Sequence, residues 1–269
     1  MGKTMKRKID LLEGPIVSTL ARLAFPVMGT SLIQMGYNLV DMIWIGRLGS
    51  GAVAAVGAAG MFMWLANGFT TIPRIGGQVN IGQSLGADRP EAAAEYARGA
   101  LRMGAFLGIL YGIISVVFHR QLIDFFMLNS PEVIRDARIY LLITCGLIVF
   151  SFLDQVLGGI LAAMGNTVTT FRVTTIGLVL NFILDPVLIF GIGPIPRMGV
   201  AGAALATVFA QIIVFVLYLI SVWHEPVIFR NLHLMKRTRR SYVKDIAVIG
   251  FPPAIQDALF SAISIDRKS

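Results

Sequence analysis

Seven long apolar runs, separated by short polar connections, constrain the fold of this chain more than any other feature of its sequence. Each run is long enough to cross a bilayer as a helix, which takes about 20 residues. In hydrocarbon the backbone must satisfy its own hydrogen bonds, and the runs lack the alternation of barrel strands, so helices are the expected form. The sequence therefore predicts an all-α polytopic membrane protein, with apolar runs at 15–46, 51–80, 92–118, 136–163, 167–190, 200–224 and 242–265.

The composition excludes a soluble domain, because 14% of the 269 residues are charged, whereas soluble domains average about 25%. The net charge of +8 comes mostly from Lys and Arg that cluster between the apolar runs, which argues against a nucleic-acid-binding patch. The N-terminal tail and the alternate connections on its side hold most of these residues, above all the stretch 225–246. The positive-inside rule then predicts a multi-pass protein of the cell (inner) membrane with a cytoplasmic N-terminus.

A Phe-Pro pair recurs at the start of two apolar runs, at Phe25-Pro26 and Phe251-Pro252. Each pair follows a basic stretch, and six spans separate the copies, so both enter the membrane from the same side. Parallel repeats of this kind build the halves of some transporters, and the alternative is two unrelated helices that each begin near a proline. The repeat divides the chain into a cytoplasmic tail (1–14), a six-span lobe (15–224), a basic inter-lobe linker (225–241) and the truncated start of a second lobe (242–269).

The connection after the second span differs from the others. Residues 83–102 are of mixed charge and rich in Ala and Glu. We expect them to form a short surface helix after a turn at Gly86–Pro90.

Polar side chains interrupt three of the apolar runs at helical spacing. A charged group inside the bilayer costs at least about 2.5–3.5 kcal/mol on insertion scales, so each such acid needs an explanation. Asp41 and Asp185, flanked by amide and hydroxyl oxygens, are typical of hard ligand sets for Na⁺, and among apolar walls they can instead carry protons. The positions that share a helical face are Gln34, Tyr37, Asn38 and Asp41 on the first span, Asn181 and Asp185 on the fifth, and Thr207 and Gln211 on the sixth.

Hydrogen bonding between helices is the alternative role for these residues, and it is the better interpretation of Thr207 and Gln211 taken alone. For Asp41 and Asp185 a functional role is favoured, because helix packing needs no charge. A functional role is the weaker of two interpretations for Asp154 in the fourth span, and Asp257 has no interpretation from the sequence.

Pro26 lies about 22 Å before Asp41 along the first span, at 1.5 Å per residue. A proline removes a backbone hydrogen bond and permits a kink, which would give this span two shapes. A proline merely tolerated near a span end is equally compatible with the sequence. Pro186, directly after Asp185, similarly frees a carbonyl that can serve as a cation ligand.

With these residues identified, the chain resembles the N-terminal lobe of the multidrug and toxic compound extrusion (MATE) transporters, in their prokaryotic branch. The resemblance extends along almost the whole chain and rests on the combination of motifs rather than on any one of them. The matching motifs are Phe25-Pro26, Tyr37-Asn38-Leu39-Val40-Asp41, Trp44-Ile45-Gly46, Leu48-Gly49, Ala54-Ala55-Val56-Gly57, Gly86-Ala87-Asp88, Gly165-Asn166, Asn181-Phe182-Ile183-Leu184-Asp185-Pro186 and Gly199-Val200-Ala201-Gly202-Ala203-Ala204-Leu205-Ala206-Thr207.

The resemblance implies a secondary antiporter of two six-helix lobes that exports drugs or other hydrophobic or cationic organic compounds in exchange for Na⁺ or H⁺. It implies no catalytic activity and no cofactor beyond the coupling ion. A second lobe or a second copy is an expected partner, beside the organic substrate and the lipid bilayer, and no nucleic acid is expected. The residues that match the family's cation site, including any Na⁺ site, are Asp41, Asn181, Asp185 and Thr207, while Tyr37 and Pro26 match supporting residues of the same lobe.

Three alternatives remain. A flippase for lipid-linked saccharides has a similar scaffold, but it needs cavity arginines for pyrophosphate, and Arg22 and Arg74 are the only candidates for that role. A truncation product that transports nothing is the second. An intramembrane aspartyl protease is the least favoured, because Asp185 lacks the Gly-x-Gly-Asp motif of that family.

Overall fold

A computed structural model of the chain describes the backbone of residues 16–223 and 239–266, and the side chains of residues 24–36, 39–222 and 239–257. The described residues form helices and connections, with no strand among them, which confirms the all-α fold. The helices are α1 (Ile16–Gly46), α2 (Ser50–Gly86), α3 (Pro90–Val117), α4 (His119–Asp124), α5 (Pro131–Gly146), α6 (Val149–Ala163), α7 (Thr167–Phe190), α8 (Val200–Trp223) and α9 (Arg240–Asp266).

Four of these helices, α2, α3, α7 and α8, are long and apolar enough to cross a membrane. Helices α5 and α6 together make a fifth, bent span. The sequence predicts two further spans in α1 and α9, which have 31 and 27 residues and so exceed the length of about 20 that a crossing needs. The chain is therefore a multi-pass membrane protein.

The predicted fourth span, 136–163, is not one straight helix. It breaks after Gly146 and resumes at Val149 with a bend of 45°. No proline lies at the break. Instead α3 packs closely there, since a Cβ at Gly112 would lie 3.1 Å from the carbonyl oxygen of Cys145.

The predicted surface helix at 83–102 is also wrong. α2 continues to Gly86, the chain turns at Asp88 with φ +55°, and Pro90 begins a single helix that runs to Val117. The start of α3 does not lie free on the surface because its alanines form a buried packing face. These are Ala93, Ala94, Ala97 and Ala100.

Small residues set the distances between the helices, as expected where lipid removes the hydrophobic drive for association. A Cβ at Gly29 of α1 would lie 2.6 Å from the ring of Phe171 on α7. A Cβ at Gly202 of α8 would overlap the carbonyl of Leu188 on α7. Helix α7 is thereby held between α1 and α8, which brings their polar positions together.

The predicted tail (1–14) and residues 224–238 of the predicted linker lie outside the described residues. α9 begins at Arg240, two residues before the predicted start of the last run. It packs along α2, which the pattern of apolar runs alone does not indicate.

Candidate cation site

Four polar residues from α1, α7 and α8 are buried in the middle of this three-helix group. Asp41 of α1 is 8% exposed, Asn181 and Asp185 of α7 are 0% exposed, and Thr207 of α8 is 3% exposed. Asn181 and Asp185 lie one turn apart on the same face of α7, as their spacing predicts.

Hydrogen bonds order two of the four side chains. Nδ2 of Asn181 donates to Oδ1 of Asp185 at 3.2 Å. The hydroxyl of Thr207 donates to the carbonyl oxygen of Ala203 at 3.1 Å, which leaves its lone pairs available. The cluster thus offers acceptors rather than donors.

Three buried oxygens of the cluster have no hydrogen-bond partner among the described residues: Oδ1 of Asp41, Oδ1 of Asn181 and Oδ2 of Asp185. Asp41 and Asp185 also lie close enough for their charges to repel. Buried carboxylates without a counter-charge are unfavourable, and either a small cation or a proton removes that cost. Carboxylate, amide and hydroxyl oxygens together fit a hard monovalent cation such as Na⁺.

The backbone adds a further acceptor. Helix α7 runs without interruption through Pro186, which has no N–H to donate to the carbonyl of Phe182. This carbonyl belongs to the residue next to Asn181.

Of the other predicted site residues on α1, the structure describes the side chains of Gln34 and Pro26. The side chain of Gln34 is exposed and two turns before Asp41, so it lies apart from the buried group. The side chains of Tyr37 and Asn38 lie outside the described residues. Pro26 is half-buried, and α1 continues through it, with the hydroxyl of Thr30 donating to the Pro26 carbonyl at 2.9 Å.

An aromatic wall beside the cluster was not predicted as part of the site. The ring of Trp44 lies 6.0 Å from that of Phe182 and 6.2 Å from that of Phe190, and the guanidinium of Arg47 lies 4.7 Å over the Trp44 ring. Trp44 is one turn after Asp41, and Phe182 is next to Asn181. The three-residue spacing of Asp41 and Trp44 was the signal that could have identified this wall.

Asp257, which had no interpretation, takes part in a contact between α2 and α9. The hydroxyl of Thr71 donates to Oδ2 of Asp257 at 2.8 Å, and Nη2 of Arg74 donates to the Thr71 hydroxyl at 3.4 Å. Arg74 is therefore engaged at a helix interface, which weakens its role as a pyrophosphate ligand of a flippase. The side chain of Arg22 lies outside the described residues.

Comparison with known proteins gives consistent matches. The MatE family model matches residues 26–187. A probable multidrug resistance protein NorM from Thermotoga maritima is 29% identical over 245 residues, which cover 90% of this chain and 52% of that protein. An FAD transporter from Shewanella oneidensis is 28% identical over 259 residues, which cover 95% of this chain and 56% of that protein.

The same fold occurs in a solved structure of a multidrug resistance MATE family transporter of the MOP superfamily, in an outward-facing conformation. The TM-score is 0.85 at 24% identity, over 95% of this chain and 56% of that one. The chain thus spans about half the length of the relatives it matches.

Proposed function

Because the chain belongs to the MATE family, we propose that it is the N-terminal lobe of a secondary antiporter that exports hydrophobic or cationic organic compounds in exchange for Na⁺ or H⁺. The observation that carries the proposal is the pair of buried carboxylates, Asp41 and Asp185, on neighbouring helices without a basic partner among the residues described. Two of its relatives, a probable multidrug resistance protein and an FAD transporter, leave the substrate class broad.

The coupling ion binds between α1 and α7. When the site is empty, Asp41 and Asp185 repel one another across the two helices. A Na⁺ held by both carboxylates with the oxygens of Asn181 and Thr207, or a proton taken up by either acid, removes the repulsion. The ion therefore stabilises a close approach of the two helices in this region.

Bending of α1 links ion binding to the substrate. Pro26 removes one backbone hydrogen bond from the N-terminal part of α1. This part of the helix can therefore tilt at a small cost in free energy while Asp41 moves towards α7. One face of α1 is exposed and carries Phe25, Met28, Leu32, Met35 and Leu39. Flexible Met and large apolar side chains suit substrates of varied shape, and a tilt of α1 changes the space that they line.

The N-terminus of the proposed antiporter lies in the cytoplasm, because most Lys and Arg of the connections lie on its side of the membrane. The exposed apolar face of α1, and relatives about twice as long as the matched chain, support a second lobe or a second copy that encloses the substrate path.

The test measures ion binding by this chain and transport by the two-lobe protein that contains it. Radioactive Na⁺ binding and proton uptake are measured in detergent, and dye efflux driven by a Na⁺ or pH gradient is measured in proteoliposomes. The variants are Asp41→Asn and Asp185→Asn, and the matched control is Asp88→Asn, an exposed turn residue at φ +55° where Asn is well tolerated.

We expect each of the two site variants to lower ion-driven efflux at least about tenfold, because each removes a charged ligand of the ion. The control variant keeps the efflux of the unaltered protein. Unchanged efflux in both site variants would rule out the coupling role of this carboxylate pair.

A further inference from the structure

A second group of polar side chains lies inside the helix bundle, away from the candidate cation site. This inner cluster consists of Asp154 on α6, Thr170 and Thr174 on α7, and Tyr218 on α8. The hydroxyls of Thr174 and Tyr218 are 3.4 Å apart. A Cβ at Gly158, one turn after Asp154, would lie 3.3 Å from the Tyr218 hydroxyl and 3.6 Å from Cγ2 of Thr170. Three helices therefore converge on one small polar region.

The inner cluster contains an acceptor whose hydrogen bonding is incomplete. Oδ1 of Asp154 is buried and has no hydrogen-bond partner within the described part of the chain. Tyr218 is 4% exposed, and the Asp154 carboxyl acts on it electrostatically. Helix packing alone would favour satisfied groups here, because an unpaired buried oxygen costs free energy.

The charged groups on neighbouring helices are directed elsewhere. From α2, Arg74 packs its carbonyl and Cγ against Gly159, but its guanidinium contacts Thr71 and acts on Asp257. Arg172 of α7 is exposed. On the side of α3, α6 is covered by Gly104 and Gly108, which bring no charge. Asp154 thus has no basic partner among the groups that the structure describes around it.

The position of the inner cluster repeats that of the candidate site. Thr170 and Thr174 precede Asn181 and Asp185 by about three helical turns, so they lie on the same face of α7, roughly 16 Å away along its axis. On the antiparallel helix α8, Tyr218 follows Thr207 by the same interval. Between the two layers, Gly177 packs against Val214, with a Cβ at Gly177 placed 2.5 Å from Cγ2 of Val214. The bundle therefore contains two polar layers separated by an apolar contact.

We propose that the inner cluster of Asp154, Thr170, Thr174 and Tyr218 is a second binding site for a small monovalent cation, Na⁺ or a proton. One carboxylate and three hydroxyl oxygens form a hard ligand set of the same chemistry as the candidate site. Its binding role stands on the contacts above. This site lies nearer the N-terminal end of α7 than the candidate cation site. Its use by the coupling ion during transport rests on the proposed function.

The experiment uses the purified chain in detergent and two probes, radioactive Na⁺ for binding and a pH indicator for proton uptake on mild acidification. The variants are Asp154→Asn and Tyr218→Phe, each made alone and on the background of Asp41→Asn with Asp185→Asn, with Asp88→Asn as control. Thermal unfolding of every variant is followed in parallel. Tyr218→Phe keeps the ring and its packing, so it remains informative if Asp154→Asn folds poorly.

We expect the background variant to retain a residual class of bound Na⁺ or of exchangeable protons. Asp154→Asn removes that class, and Tyr218→Phe lowers its Na⁺ affinity about tenfold, since one ligand oxygen is lost. The Na⁺ and pH-indicator measurements distinguish the two cations. The proposal would be overturned if both variants kept the residual bound Na⁺ or exchangeable protons of the background variant. It would also be overturned if they changed thermal unfolding without changing binding, since the cluster would then be structural.

The two proposals fail in different ways. If Asp154→Asn lowers binding while Asp41→Asn with Asp185→Asn changes nothing, the inner site stands and the proposed function falls. If Asp41→Asn with Asp185→Asn lowers binding and Asp154→Asn does not, the inner site is refuted and the proposed function stands.

Discussion

At the scale of single residues, Thr207 separates the two candidate coupling ions. Its hydroxyl donates to the Ala203 carbonyl, so its lone pairs are free to bind Na⁺, whereas a proton needs only a carboxylate. We predict that Thr207→Val lowers the Na⁺ affinity of the chain about tenfold and leaves proton uptake unchanged. Radioactive Na⁺ binding and pH-indicator measurements check the two expectations.

A matched control for this prediction is Thr175→Val on α7. The Thr175 hydroxyl also donates to a carbonyl one turn earlier, that of Phe171, at 2.7 Å, but it lies outside the cluster. Both variants lose the same kind of local bond, so only a difference between them reports on the site. Equal Na⁺ affinities in the two variants would contradict a ligand role for Thr207.

The sequence predicted which polar residues share a helical face better than it predicted what surrounds them. Helical periodicity was sufficient to place Asn181 and Asp185 on one face, because that relation is local. The inner cluster depends on α6, α7 and α8 meeting at one depth, and no local pattern in the sequence reports the relative depth of helices. Asp257 was uninterpretable for the same reason, since its partner Thr71 is on a helix far away in the sequence.

At the scale of elements, α2 and α9 pack very closely. A Cβ at Gly76 would overlap the carbonyl of Ile246, and a Cβ at Gly250 would overlap the carbonyl of Ile72, so the two backbones are nearly in contact. Near the N-terminal end of α9, the Tyr96 hydroxyl of α3 donates to Asp245 at 3.0 Å. The N-terminal half of α9 is therefore fixed to α2 by backbone contacts that only glycine permits.

We predict that Gly76→Ala destabilises the chain by about 1–3 kcal/mol, because the new methyl group forces α2 and α9 apart. The control is Gly82→Ala on the same helix, where no atom lies within 4 Å of the new Cβ. There the higher helix propensity of Ala should stabilise by up to about 1 kcal/mol. Thermal unfolding in detergent measures both, and a shift of the same sign in the two variants would contradict the close packing of α2 and α9.

The boundaries of the elements show where sequence patterns are insufficient. The apolar run 136–163 gave no sign of its 45° bend, because no proline marks the break and the close contact with Gly112 of α3 lies between residues far apart in the sequence. The mixed charge and the Ala and Glu content of 83–102 led to the prediction of a separate surface helix. Its alanines are instead buried, which joins it to the membrane helix that follows.

At the scale of the whole molecule, the candidate cation site and the inner cluster form two polar layers at different depths of an otherwise apolar bundle. Each layer contains residues of α7 and α8. The candidate cation site also contains a residue of α1, a helix that has an exposed apolar face and a proline. The inner cluster instead contains a residue of α6, which packs on α2 and α3. An ion bound as proposed in the candidate cation site would contact α1, one face of which is exposed. An ion bound as proposed in the inner cluster would lie against α6, which packs on α2, α3 and α8.

The direction of these layers across the membrane depends on the orientation of the chain, which labelling of single cysteines tests. The native Cys145 is 0% exposed, so it gives no background with a membrane-impermeant maleimide. Glu91 and Asn129 are exposed and lie near opposite ends of α3. Because the basic connections predict a cytoplasmic N-terminus, we expect Asn129→Cys to react in intact cells and Glu91→Cys to react only after permeabilisation. The reverse pattern would invert the topology and place the inner cluster on the outer side of the membrane, whereas equal labelling of both in intact cells would contradict a span between them.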